Sequence, residues 1–201
     1  VDSDCDGYTS AAILINYLNC LFPHFAQTKI SYRIHDGKQH GLLTDTIPND
    51  IGLVIAPDSS SNDYIEHEEL AKRGIDVLVL DHHEAEEYSK FACVINNQMC
   101  DYPNKSLSGA GVVYKFCCYL DKLLNSNYAE DFLDLATVGL IADVMPLKDF
   151  ETRHLILKGM QGFRNPLLKT MVEKDDFHFG GKALTPFNIA WYIAPYINAI
   201  T

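Results

Sequence analysis

Three short apolar runs constrain this chain more than any other feature. "IGLVIAPDSS", "IDVLVLDHHE" and "FACVINN" begin at residues 51, 75 and 91. Each is too short for an ordinary helix and rich in β-branched residues, so each reads as a buried strand. Between the first two lies "YIEHEELAKRG", a helical pattern closed by Gly74. Strands joined through helices pair in parallel, and a parallel sheet needs helices on both faces. The expected fold is therefore α/β: a doubly wound, mainly parallel sheet. "KISYRI" would add an alternating strand, and Val1 would be the tail of a first one.

From Gly109 the pattern turns helical, through "GAGVVYKFCCYLDKLL", "AEDFLDLATVGLIADV", "FETRHLILKGMQGF" and "TPFNIAWYIAPYI". The loop "DYPNK" divides an α/β core, 1–104, from a mainly helical remainder of the same domain, 105–201. Near the start, "TSAAILINYLNCLF" reads as a helix capped by Thr9 or Ser10.

The 201 residues suffice for one large α/β domain with a real core. No run approaches the roughly 20 apolar residues of a membrane helix, and no signal peptide opens the chain. Six cysteines without a CxxC pair argue against a zinc ribbon and for reduced thiols, hence a cytoplasmic protein. The net charge of −11 is the wrong sign for a nucleic-acid binder unless cations bind or a basic domain lies elsewhere.

The opening "VDSDCDGYTS" sets Asp2, Asp4 and Asp6 at alternate positions before Gly7. It has the look of an EF-hand loop, but the twelfth position, where a bidentate Glu belongs, is Ile13. The acids gain meaning from the strands. Ligands of open α/β sheets bind beyond the carboxyl ends of strands. Asp58 ends one apolar run, Asp81, His82 and His83 end another, and Asp2, Asp4 and Asp6 follow Val1. Asp143, in "IADVMPL", ends a helical run that can approach the same rim. One strand-end Asp is ordinarily a turn or cap residue, and tandem histidines alone are ordinarily surface or core. Their joint occurrence is what argues for a site. Carboxylates and imidazoles without thiolates suit Mn²⁺ or Mg²⁺, and two such ions about 3.5–4 Å apart support phosphoester hydrolysis.

These motifs together resemble the DHH phosphoesterase superfamily, and within it the RecJ-like single-strand-specific exonucleases. "DSDCDGYTSAAIL", "APDSSS", "LVLDHHE", "SGAGVVYKF", "GLIADVMPL" with "TRHLILKGM", and "IAWYIAPYINAI" are similar to the family's motifs in order, over nearly the whole chain. The resemblance implies two divalent ions, Mn²⁺ preferred and Mg²⁺ possible. Asp58 would bridge them, Asp4 would bind the first, and Asp6, His82 and Asp143 would complete the second. His83 would face the scissile phosphate, Asp81 would orient a histidine, and Asp2 would bind metal or support the site. Ser108, Gly109 and Gly111 would shape its wall and a helix N-terminus facing phosphate.

Two departures follow from the same resemblance. A further His ligand stands, in the family, four residues ahead of Asp4, a place ahead of Val1. Tyr196 stands where RecJ proteins carry Arg, so an aromatic ring would stack on a base there. Arg153, Lys158 and Arg164 are local candidates for phosphate contacts, with plain surface solvation as the alternative. The DHH-associated C-terminal domain is absent from these residues. The implied function is 5′–3′ exonuclease action on single-stranded DNA in repair or recombination, with single-strand-binding protein or a helicase as partner and no membrane. The alternatives are a phosphodiesterase of short oligonucleotides or cyclic dinucleotides, and a non-catalytic RecJ-like replication scaffold. A family II pyrophosphatase shares the metal logic but not the RecJ-like tail.

Overall fold

The structure, a computed structural model, describes residues 1–37 and 39–199, with the side chain of Asp176 left out. Ile200, which closes the last RecJ-like motif, and Thr201 lie outside the described residues. In chain order the elements are α1 (Cys5–Leu21), α2 (Pro23–Lys29), β1 (Leu53–Pro57), α3 (Tyr64–Lys72), β2 (Asp76–Asp81) and β3 (Cys93–Asn96). Then follow α4 (Gly109–Leu124), α5 (Leu133–Ala142), α6 (Phe150–Gly159), α7 (Pro166–Lys174), α8 (Asp176–Phe179), α9 (Pro186–Tyr192) and α10 (Ala194–Asn198).

The three strands pair in parallel in the order β1-β2-β3, with Ile55 opposite Leu78 and Leu80 opposite Ile95. Alternation splits β1 and β2 between two cores. Ala56, Val77 and Val79 pack with Leu70 of α3 on one face. Leu80, with Ile55 and Leu78, packs on the other face against Ile13 and Tyr17 of α1, Val113 of α4 and Leu140 of α5. Helices thus cover both faces, as a parallel sheet requires. The second core continues through Ile156, Ile189 and Ile193, so the α/β and helical regions share it.

Two details differ from the sequence reading. Thr9 and Ser10 do not cap α1. The helix begins at Cys5, and Asp4 is its N-cap, accepting the Gly7 N–H at 2.8 Å. Asp is the stronger cap and stands one turn earlier, while Thr9 bonds back to the Cys5 and Asp6 carbonyls. Of "KISYRI", Lys29 ends α2, and the rest is not a strand of the sheet among the described residues. It pairs instead with Val1, whose amino group donates to Arg33 O and whose carbonyl accepts His35 N–H, the pattern of a parallel pair. With so little pairing, Tyr32 and Ile34 stay exposed.

Helix α1 is tied to α4 inside the core by a polar contact. The buried Tyr17 hydroxyl donates to Asp121 Oδ1 at 3.0 Å. Asp121 also accepts Ser126 Oγ–H and Ala129 N–H, which anchors the turn after α4. A buried carboxylate with three donors is satisfied, and so it holds the helices that carry the site.

Candidate metal centre

Beyond the carboxyl ends of β1 and β2 the chain gathers its acids. Asp58 follows β1 with φ 62°, in the left-handed region that Asp tolerates better than most residues. Its N–H still bonds to Leu80 O at 2.8 Å, so the sheet fixes the turn. Asp81, His82 and His83 emerge from β2, Asp4 and Asp6 from the start of α1, and Asp143 from the end of α5.

Ligand atoms fall into three groups within coordination reach of one another: Asp2, Asp4 and Asp58; Asp6, His82 and Asp143; and Asp58, Asp81, His82 and His83. Asp58 belongs to two of them. His82 Nε2 lies 3.3 Å from Asp58 Oδ1, 3.6 Å from Asp143 Oδ2 and 3.9 Å from Asp6 Oδ2. Asp58 Oδ1 and Asp143 Oδ2 are buried and accept no hydrogen bond. Two buried carboxylate oxygens without donors, at the junction of oxygen and imidazole ligands, fit a hard divalent cation.

The electrostatics agree. Burial, then the charge of Asp58, pushes the Asp6 carboxyl well above its ordinary range. Burial and Asp4 do the same to Asp58. Asp143 is pushed up to about 6 by burial and by Asp6. Such a cluster resists ionisation until a cation joins it.

Asp81 behaves oppositely. Burial pushes its carboxyl up, but hydrogen bonds from His83 and Ser61, the His83 charge and the His82 amide outweigh it and hold it well below the usual range. Its Oδ1 accepts His82 N–H at 2.7 Å and pairs with His83 Nδ1 at 2.7 Å, and Oδ2 accepts Ser61 N–H. It stands in one of the candidate ligand groups and also holds His83 by the 2.7 Å pairing. The hydrogen bond to Asp81 raises His83 to about 9.

The N-terminus of α4 meets a carboxylate of the chain. Ser108 Oγ donates to Asp6 Oδ1 at 2.8 Å, Gly109 N–H to Oδ2 at 2.7 Å and Ala110 N–H to Oδ1 at 3.2 Å. The helix dipole therefore serves Asp6, where the sequence pointed to phosphate. A Cβ on Gly109 would stand 2.2 Å from Asp58 Oδ1, so this glycine makes room for the central carboxylate. Gly7 likewise is there for close approach rather than for a turn: it sits inside α1, and a Cβ would stand 2.5 Å from Asp2 O. Gly111 faces Leu140 and Leu107 in the core, away from the acids. Arg153 is exposed on α6 with its guanidinium over Phe150. Lys158 and Arg164 pair with Glu130 and Asp131, outside the acidic cluster. Tyr196 is exposed on α10, and that helix reaches the site through Asn198, whose Oδ1 accepts Cys5 N–H at 2.7 Å.

His35 and His40 were not legible as site residues, yet both reach Asp2. His40 Nδ1 is 2.8 Å from Asp2 Oδ2, and His35 Nδ1 is 3.6 Å from Oδ1.

Fold and site together define an α/β domain with a cluster of carboxylates and imidazoles suited to divalent metal at the carboxyl edge of a parallel sheet. Residues 1–140 match the model of the DHH family, N-terminal domain, and the chain belongs to that family. It is 48% identical over 201 residues to YorK of Bacillus subtilis, named as an SPbeta prophage-derived single-strand DNA-specific exonuclease; 99% of this chain and 34% of YorK are covered. It is 30% identical to the single-stranded-DNA-specific exonuclease RecJ of Thermus thermophilus, covering 98% of this chain and 29% of that protein. Among solved structures, an exonuclease RecJ bound to manganese superposes with a TM-score of 0.82 at 27% identity, over 98% of this chain and 51% of that one. RecJ of Thermus thermophilus with Mn²⁺ gives 0.78 at 28% identity, over 98% of this chain and 28% of that one. The chain thus spans about a third of the curated relatives it matches.

Proposed function

We propose that this chain is the metal-binding part of a RecJ-like nuclease that hydrolyses phosphodiester bonds of single-stranded DNA with two divalent ions, Mn²⁺ preferred over Mg²⁺. The observation that carries this reading is Asp58: a central carboxylate with a buried oxygen lacking any hydrogen bond, shared between two ligand groups. The relatives' names and their manganese-bound structures support the substrate class and the metal.

When bound, the two ions would activate a water molecule and neutralise charge building on the phosphate. The chain's residues do the rest. Asp2, Asp4 and Asp58 would hold one ion, and Asp6, His82 and Asp143 the other, with Asp58, 3.3 Å from His82 Nε2, as the carboxylate that would join them. Ser108 and the α4 amides fix Asp6, which cannot swing away when the ions arrive. Asp81 keeps His83 oriented through its Nδ1, so that the ring could serve a phosphate oxygen. Cleavage from the 5′ end, a role in repair or recombination, a single-strand-binding or helicase partner, and a cytoplasmic site belong to the same proposal. So does the division into a metal-binding core, 1–104, and a helical remainder.

The test is Mn²⁺-dependent degradation of end-labelled single-stranded DNA by the full-length protein, beside Asp58→Ala. The reading expects processive loss of strand from the 5′ end with the wild type and none with the variant. Equal activity in both would overturn it, and cleavage confined to dinucleotides would move the substrate class to short oligonucleotides.

A further inference from the structure

We propose that Asn96 is a positioning residue for His83: its buried carboxamide closes a ring of hydrogen bonds, through Ser61 and Asp81, that holds the His83 imidazole at the edge of the metal centre. The inference rests on the phosphodiesterase reading above and names a residue outside its proposed ligands on which His83 depends.

The sheet puts Asn96 where it can do this. It is the last residue of β3, in register with Asp81, the last of β2. Residues in register on parallel strands point to the same face, so the two side chains stand side by side. At 1% exposure, Asn96 must find partners for one carbonyl and two N–H groups inside the protein. All are met. Oδ1 accepts Gln98 N–H at 2.8 Å, and Nδ2 donates to Ser61 Oγ and to His83 O, each at 2.8 Å. A backbone amide can only donate, so Gln98 fixes which end of the carboxamide faces Ser61 and His83.

These bonds form a circuit across all three strand ends. Ser61, in the loop after β1, gives its N–H to Asp81 Oδ2 at 3.1 Å. Asp81 Oδ1 pairs with His83 Nδ1 at 2.7 Å, and the His83 carbonyl returns to Asn96. His83 is thus gripped twice, by its ring and by its backbone. The second grip matters because residues 82–92 form neither helix nor strand and cannot fix the peptide themselves. Two other ties on this segment, Asn62 to Glu84 O and Tyr64 to Glu87 O, lie at the surface, where water competes. None of the Asn96 hydrogen bonds goes to Asp6, Asp58, His82 or Asp143, so the residue can be changed without removing a partner from those groups.

The experiment uses the full-length protein with isotope-labelled histidine. The Nδ1–H proton held by Asp81 should give a downfield NMR signal in the metal-free wild type, identified by its absence in His83→Ala. We expect water exchange to erase it in Asn96→Ala and in Ser61→Ala. On end-labelled oligo-dT in Mn²⁺, kcat should fall about 10–100-fold in Asn96→Ala, with KM and Mn²⁺ affinity within about threefold. A residue that acts through His83 adds little once that ring is gone. Asn96→Ala on the His83→Ala background should therefore cost less than about threefold more. An unchanged His83 signal in Asn96→Ala would overturn the proposal. So would losses that multiply in the double variant, the mark of a general structural role, or a parallel loss of Mn²⁺ affinity. If Asn96→Ala does not fold, Ser61→Ala decides by the same signal and the same cycle with His83→Ala. If the wild type degrades no oligo-dT while the signal behaves as stated, the positioning stands and the nuclease reading falls.

Discussion

Replacing Asp143 by Asn should stabilise the metal-free protein and weaken its response to metal. Without a cation, the Asp143 carboxylate faces Asp6 across a largely buried space, and burial with that charge moves its pKa from 3.8 to about 6. At full strength the displacement corresponds to about 3 kcal/mol at neutral pH. The side chain keeps 31% of its exposure, so water screens part of it, and about 1–2 kcal/mol is the fair expectation. For a chain of this length that is a rise of about 2–8 °C in Tm. The pH dependence carries a definite sign. Asp143 has a folded pKa above its unfolded one, so its contribution is fully present below 3.8 and is lost as pH rises through about 6. Asp6 and Asp58 are displaced in the same direction. In EDTA the wild type should therefore melt higher at pH 5 than at pH 7.5, and Asp143→Asn should narrow that difference. With Mn²⁺ at a hundred times its Kd, the wild type at pH 7.5 should gain about 2.7 kcal/mol, and the variant far less. Differential scanning fluorimetry across pH, with EDTA or MnCl₂, measures all of this. An Asp143→Asn protein that melts below the wild type in EDTA at pH 7.5, or one with the full Mn²⁺ shift, would refute the reasoning.

Further outcomes follow from other contacts. Gly109→Ala, with its methyl group 2.2 Å from Asp58 Oδ1, should cost about 1–3 kcal/mol and weaken Mn²⁺ binding at least about tenfold. Gly162→Ala, with open space around it, should stay within about 0.5 kcal/mol; denaturant titration and calorimetry would show the contrast. Asp81→Asn removes the bond that raises His83 to about 9, so the imidazole should titrate nearer its ordinary 6.5 in an NMR pH series. Asp121→Ala strips partners from Tyr17, Ser126 and Ala129, and urea unfolding should record a loss of about 2–4 kcal/mol.

The strands were legible because a buried parallel strand writes itself as an apolar run, and its ending in Asp58 or in Asp81-His82-His83 marks the functional edge of the sheet. The distant Asp143 was legible as the end of a helical run able to approach the same rim, but its place in a ligand set came only through the resemblance, since nothing in α5's own pattern says which way its last residue faces. The cap of α1 was misplaced because Asp4 serves two purposes, closing the helix start and standing beside Asp2 and Asp58. The direction of the α4 N-terminus was likewise hidden. A helix start attracts any anion, and whether that is a ligand or Asp6 depends on how close α1 packs. His35 and His40 left no periodic signal. Their approach to Asp2 depends on a segment outside the sheet, held by Val1, Ser3 and Asp63. Helix α7 did have a signal, Asn165 before Pro166, and Asn165 Oδ1 caps it as that pairing implies.

The central claim is that one carboxylate, Asp58, joins two metal positions. Electron paramagnetic resonance of the full-length protein titrated with Mn²⁺ tests it most directly. The account predicts two ions per chain with the signal of an exchange-coupled pair about 3.5–4 Å apart, and loss of the coupling in Asp58→Ala. A single ion, or two uncoupled ions unaffected by that substitution, would contradict it.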